Sequence, residues 1–472
     1  MVDTASELSS KSCPTLHMIG HVYQRVPAAE DRADFARLQA HLFLQGLAAY
    51  LDERSPTSTQ SPPATPIAHA PPSIRGSISR VLLTNLRSLP SLDWVLPSTR
   101  AGWHVLLGQN AAGKTSVLRA IAAALLPADE LGALRQDWAR WVLRGADDAS
   151  ASIEVTNDSE SQRVEWRITD GGLTKLGHEF GGFSAAYGPF RRFTGGDVEF
   201  QRELASHGRL LRHLSLFSER AALSAVLDWL KDLEFRKAKA MPEGALVDGI
   251  TRFINETELL PQGATLARID PDGVMFRDGN GVEVPADDLS DGYRSILSLA
   301  LDLLRHLAAE LGHDRLFTER DGQLVVDAEG VVIIDEVDAH LHPTWQQRVG
   351  PWFKQRFPRM QFLVATHSAI VCQSADSVFL LPTPGEHDEP RALSETELRR
   401  LRYGDLIDAF STGVFGDDVT RSDESRRCLD ELAKLNALEL ERPLTEGEFA
   451  RRAELREAMP STAFDVPGGE RE

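Results

Sequence analysis

The 472-residue chain is short of three things, and each shortage removes a class of function. It has only three cysteines, Cys13, Cys372 and Cys428, far apart and in no metal-ligand spacing. That excludes a disulfide-stapled scaffold and a cysteine-ligated zinc site, and makes a reducing cytoplasm the expected compartment. No run approaches the ~18 consecutive apolar residues of a membrane span, and no basic stretch leads into an apolar one at the N-terminus. Neither a membrane protein nor a secreted precursor is expected. Lysine is the third scarcity, 8 of the 51 basic residues, so a lysine at a special place stands out. The net charge of −19 argues against a whole surface built for nucleic acid and leaves local basic patches open. What remains has the composition of a globular protein, 42% apolar and 26% charged, with no internal repeat and no sustained heptad pattern.

Four regions are expected. Residues 1–54 form an N-terminal extension with one helix, Asp31 to Glu53, whose apolar set is Phe35, Leu38, Leu42, Leu44, Leu47 and Leu51. Residues 55–75 read as a disordered linker, because "SPTSTQSPPATPIAHAPP" is rich in Pro, Ser and Thr and empty of charge. Residues 76–390 carry strand and helix patterns and form the main domain. "SISRVLLTNL" from Ser77 and "WHVLL" at 103–107 read as strands, as do "SIEVTN" and "VEWRIT". Residues 218–256 are mostly helical, and "ATLARIDPDGVMFRDGNGVEV" reads as paired strands with Asp-Gly and Gly-Asn-Gly turns. The runs "VVII" (331–334) and "FLVA" (362–365) suit buried parallel strands. Residues 391–472 are helical, with capping boxes at Ser394…Glu397 and Thr445…Glu448.

"GQNAAGKTS", Gly108 to Ser116, matches G-x-x-x-x-G-K-[ST] between an apolar strand and a helical pattern. In this Walker A loop the amides of Gly108, Gln109, Asn110, Ala111, Ala112 and Gly113 and the helix start at Lys114, Thr115 and Ser116 would wrap phosphates. Lys114 would neutralise the β- and γ-phosphates of ATP, and the Thr115 hydroxyl would ligate Mg2+. "VVIIDEVDAHLHP" places Asp335 and Glu336 directly after a buried strand, where ligands of open α/β sheets gather. Asp335 is expected to hold Mg2+, as a Walker B acid, and Glu336 to deprotonate the attacking water. Alone, such a pair could be a solvated loop; beside a phosphate loop it reads as catalytic. His367 ends "FLVATHS", 31 residues past Glu336, where it could hydrogen-bond a γ-phosphate or the water. His340 and His342 could form a metal pair, but Pro343 follows at once and structural roles fit better.

"LSDGYRSILSLALDLL", 289–304, has Tyr293, Ile296, Leu297, Ala300, Leu303, Leu304 and Leu307 at the spacing of one buried helical face. Glycine in its first turn costs helix propensity. An open helix start that receives an anion would explain it, while a simple N-cap at Ser290 is the plainer alternative.

With these motifs in this order, from about Ser77 to about Pro382, the chain resembles the ABC-type ATPases. The match is closest to the branch holding RecF, the structural-maintenance-of-chromosomes (SMC) proteins and their short defence-associated relatives. The resemblance implies an α/β fold: a P-loop ATPase core of ABC type with a β subdomain and helical insertions. It also implies that Ser290, Asp291 and Gly292 contact the γ-phosphate held by a second copy, in a head-to-tail ATP-dependent dimer. Asp338 falls at the family's D-loop aspartate. Four departures stand out. Asp291 and Tyr293 replace the signature's second Gly and its Gln. The interval from Ser290 to Asp335, 45 residues, is too long for a transporter domain. Ala111 stands where glycine is common, which is tolerable if its φ stays negative. The usual glutamine after the first β subdomain has no counterpart in "AAYGPFRRF", 185–193.

The resemblance implies an ATP-timed switch regulating a nuclease partner in phage defence, with any nucleic-acid contact indirect and no membrane partner. The acidic stretch from Glu395 on, 19 acidic against 12 basic residues, is either a docking surface or a solvated helical cap. A DNA-repair ATPase that grips duplex directly is the second reading, with "RRF" at 191–193 and "RQDWARWVLR" at 135–144 as its basic candidates. A non-hydrolysing nucleotide sensor is the third, and the intact Glu336 speaks against it.

Overall fold

The structure is a computed structural model. It describes residues 73–458 except 405–421 and short stretches, of which 98–100 and 194–196 are the longest. The expected helix at 31–53 and the linker at 55–72 lie outside the described residues. Ser73–Ile74, at the end of the stretch read as linker, is a short strand paired in parallel with Glu179–Phe180.

Two sheets enclose one helix. The larger has the strand order Arg391–Ala392, Ser377–Leu380, Gly102–Leu107, Met360–Thr366, Gly330–Ile334 and Ser184–Tyr187. It is parallel except for Arg391–Ala392, which runs antiparallel to its neighbour. The second sheet is an antiparallel meander ordered Leu89–Val95, Ser77–Leu86, Asp148–Thr156, Ser161–Thr169 and Gly172–Gly177. Between them lies the helix Lys114–Leu125, in which every residue from Ser116 to Leu125 is buried except Arg119. Its "AIAAAL" stretch combines the best helix former with side chains small enough for a sheet on each side.

The near-continuous apolar strands follow from this layering. Side chains alternate across a strand. Leu106, Ala186, Val331, Ile333, Leu363, Ala365 and Phe379 therefore pack toward the enclosed helix and the meander. Trp103, Val105, Tyr187, Val332, Ile334, Phe362 and Val364 face the opposite core. That second core contains the helices Ala225–Ala238, Leu246–Glu256, Asp291–Leu311 and Pro343–Arg356. The strands Thr265–Asp270, Gly273–Arg277 and Glu283–Pro285 pair antiparallel, as their turn residues indicate.

The helix Asp291–Leu311 departs from the one-face expectation. From Ser295 to Leu304 every residue is buried, Asp302 included. Core packing surrounds it, so periodicity named one face of a helix that has none exposed there. Asp302 is kept ionised by His306 and Arg305, which hold its pKa well below the usual carboxylate range against the opposing effect of burial. Both capping boxes form: Ser394 and Glu397, and Thr445 and Glu448, exchange backbone and side-chain hydrogen bonds. The helix Glu395–Tyr403 buries Leu401 in the main core, and Arg402 donates to the Ala375 carbonyl. It is thus packed on the main body. Asp423–Glu441 and Glu446–Ala458 form a helical hairpin around Leu432, Leu435 and Leu455.

Candidate nucleotide site

The strand Gly102–Leu107 delivers the chain to Gly108, and the helix restarts at Lys114 with no side-chain cap. Gly113, the N-cap, has φ 99°, a conformation that costs any L side chain energy. The first helical amides are therefore unclaimed by a capping group, as an anion site requires. Ala111 corrects the expectation made for it: its φ is +67°, in the left-handed region. The cause is the tight turn closed by Ala112 N donating to Gln109 O at 3.2 Å, whose third residue is normally glycine. Holding an alanine there costs about 1–2 kcal/mol.

Lys114 is folded back along the loop and donates to the carbonyls of Gly108, at 2.8 Å, and Gln109, at 2.9 Å. Burial lowers its pKa, an effect opposed by Asp335, Glu336 and Asp338 nearby. Thr115 Oγ1 donates to Asp335 Oδ2 at 2.7 Å across 220 residues of sequence. Asp335 is fully buried and its other oxygen, Oδ1, has no hydrogen-bond partner. Burial raises its pKa, with the Thr115 bond acting the other way. A hydroxyl and a carboxylate meeting beside an open helix start, with one carboxylate oxygen unsatisfied, form a donor set that fits a hard divalent cation and the phosphates it accompanies.

Glu336 is half-buried and takes φ 46°, again left-handed. Asp338 accepts from Thr366 Oγ1 and lies 3.2 Å from His367 Nδ1, so the D-loop candidate ties the end of the neighbouring strand within its own chain. His367 keeps more than half of its side chain exposed. These residues, from Gly108 to Ser116 and from Asp335 to His367, gather at the carboxyl ends of adjacent parallel strands.

Ser290 and Asp291 stand apart from that set and face solvent. Ser290 is the N-cap but its side chain makes no capping bond, and Asp291 pairs with Arg294. Gly292 has an explanation within the chain: a Cβ there would lie 2.7 Å from the His340 carbonyl oxygen. The helix start thus rests on the turn that follows the acidic pair. His342 caps the helix Pro343–Arg356 by accepting from Thr344 N, and no group of three or more His, Cys, Asp or Glu suited to a metal occurs among the described residues.

Of the two basic candidates for a duplex groove, Arg191 is engaged inside the fold, whereas Arg135, Arg140 and Arg144 of the other are exposed. Arg191 is buried and donates to Ser295 Oγ and to the carbonyls of Gly188, Asp335 and Glu336. In 135–144, Trp141 is buried against Trp138 and Trp166, and Arg140 pairs with Asp137. Sequence reasoning gave Arg191 a place in a duplex groove and missed its link to the acidic pair. It also missed Arg87, which donates to Ser116 Oγ at 3.2 Å in the first turn of the phosphate-loop helix.

A family model described as "AAA domain, putative AbiEii toxin, Type IV TA system" matches residues 104–372, more than half of the chain. The chain belongs to this family. Among curated proteins, this AAA-family chain is 26% identical over 303 residues to the Septu protein PtuA of Bacillus mycoides (strain KBAB4), covering 62% of this chain and 38% of that one. It is 30% identical over 165 residues to the Retron Ec83 probable ATPase of Escherichia coli, covering 32% and 29%. The chain therefore spans well under half the length of these relatives. Among solved structures it is similar to an SMC head bound to the C-winged helix domain of ScpA, at 16% identity and TM-score 0.43, with 68% of this chain and 99% of that one covered. The expected family assignment holds at the level of the AAA domain and of likeness to proteins named as ATPases, as does the mixed α/β class. No helix among the described residues is long and apolar enough to cross a membrane.

Proposed function

We propose that this AAA-family protein is an ATP-hydrolysing switch that closes head-to-tail with a second copy of itself and regulates a nuclease partner in phage defence. The observation that carries the ATPase reading is the meeting of Thr115 and Asp335, 2.7 Å apart, at the start of an uncapped helix that also presents Lys114. Lys114 and the loop amides bind the β- and γ-phosphates of ATP. Thr115 and Asp335 hold Mg2+, which when bound offsets phosphate charge in the transition state. Glu336 accepts the proton of the attacking water, and His367, steadied by Asp338, donates toward the γ-phosphate. Ser290 and Gly292 are the surface offered to the other copy's γ-phosphate, since Ser290 is exposed and its helix start carries no cap.

The nuclease partner and the defence role rest on the branch the sequence resembles and on likeness to proteins named for Septu and retron systems. Direct duplex binding, the other reading, loses Arg191, which is buried, and is left with the exposed Arg135, Arg140 and Arg144. The test is Glu336→Gln. It should bind ATP like wild type, hydrolyse it ~10² to 10⁴ more slowly for want of a general base, and accumulate as a dimer in ATP. Sizing without ATP-dependent growth would count against the closed dimer, and an unchanged hydrolysis rate against the base.

A further inference from the structure

Arg191 is a buried cation whose four hydrogen bonds all go to uncharged atoms. Its Nε donates to Ser295 Oγ at 3.1 Å, Nη1 to Gly188 O at 2.9 Å and to Asp335 O at 2.7 Å, and Nη2 to Glu336 O at 3.0 Å. One planar fork therefore joins three segments: the end of the edge strand Ser184–Tyr187, the acidic pair and the helix Asp291–Leu311. Two of its bonds fall on the carbonyls flanking the left-handed turn at Glu336. Such a backbone persists only where its surroundings over-determine it. Ser295 lies five residues into the helix that starts at Ser290, about 7–8 Å along its axis, and from Ser295 to Leu304 that helix is packed on all sides. A shift of the helix start is carried to Ser295 as a rigid body, and from there to Arg191. A lysine would not serve, because an ammonium lacks the fixed fork that spans a hydroxyl and three carbonyls.

We propose that Arg191 is a positioning residue: it sets the Glu336 turn and couples it to the state of the helix that begins at Ser290. This rests on the reading of Glu336 as the general base of ATP hydrolysis. Contact at Ser290 from a second copy thereby reaches the base inside the same chain, and hydrolysis is tied to closure.

The test uses the full chain with Arg191→Lys, which keeps the charge, and Ser295→Ala, which cuts only the helix link. Amide exchange of residues 335–341 without nucleotide should quicken about tenfold in Arg191→Lys and less in Ser295→Ala, with 114–125 unchanged. The kcat for ATP should fall about 10- to 100-fold in Arg191→Lys while KM stays within about threefold, as for a misplaced catalytic group. In a Glu336→Gln background, Arg191→Lys should add no further loss. Wild-type exchange at 335–341 in both variants, or an equal further loss in the Glu336→Gln background, overturns the proposal. Should Arg191→Lys fail to fold, Ser295→Ala decides by the same two measurements. If the wild-type chain does not hydrolyse ATP, the functional reading falls, and the exchange contrast alone still decides whether Arg191 holds the turn.

Discussion

Replacing Asp335 with asparagine should raise the stability of the nucleotide-free protein while destroying its activity. The carboxylate is fully buried, one oxygen has no partner, and burial raises its pKa above the ordinary value of 3.8. Between the unfolded and folded pKa values the folded protein binds a proton that the unfolded chain does not. The group's contribution to stability therefore declines as pH rises through that window, and the penalty is complete above the folded pKa. Asparagine keeps the acceptor for Thr115 and removes the charge. The amide NH2 still stands unpaired where the second oxygen was, so the gain is the part of the penalty that comes from the charge, on the order of 1–3 kcal/mol. For a body of this size that corresponds to about 1–4 °C in Tm given ~2.1 cal/mol/K of unfolding entropy per residue. Scanning calorimetry without nucleotide reads this gain, and the gap between the two proteins should narrow on acidification. ATP hydrolysis should fall at least ~100-fold, the loss of about 3 kcal/mol of cation-mediated stabilisation. A lower Tm at neutral pH, a gap that widens in acid, or hydrolysis at the wild-type rate would refute the reasoning.

Gln361 donates to Ile78 O and accepts from Ile78 N, both at 2.8 Å, joining the two sheets where the Ser77–Leu86 strand shifts register. Gln361→Leu leaves both buried backbone groups unpaired and should cost about 2–5 kcal/mol in denaturant titrations, with KM for ATP unchanged. Ser290→Arg should bind nucleotide like wild type, measured by titration, yet fail to dimerise and hydrolyse. Mixing it with Lys114→Ala, which alone should bind no ATP, should restore some activity, because one composite site of the heterodimer then carries neither lesion. An active Ser290→Arg that is only ~1 kcal/mol less stable would mark a plain N-cap and sink the trans-acting reading.

Local chemistry, which the sequence states outright, settled much of this protein. A glycine-rich loop between an apolar strand and a helix, and two acids after "VVII", predicted which strand ends would meet, because short buried runs suit parallel strands and their carboxyl ends collect ligands. Turn and capping residues behaved likewise, since their partners lie within a few positions. Tertiary structure alone decided the rest. Arg191 reads as a surface basic residue until three of its partners, 104 to 145 positions away, are known. Gln361 reads as an interruption of an apolar strand until Ile78, 283 positions off, takes both its hydrogen bonds. Gly292 suggested an anion, and its space is set by the His340 carbonyl. Periodicity reports which side of an element is apolar and carries no information on what approaches the others. The helix that begins at Ser290 is therefore buried all round from Ser295 to Leu304, and Ala111 is left-handed because it is the third residue of a four-residue turn.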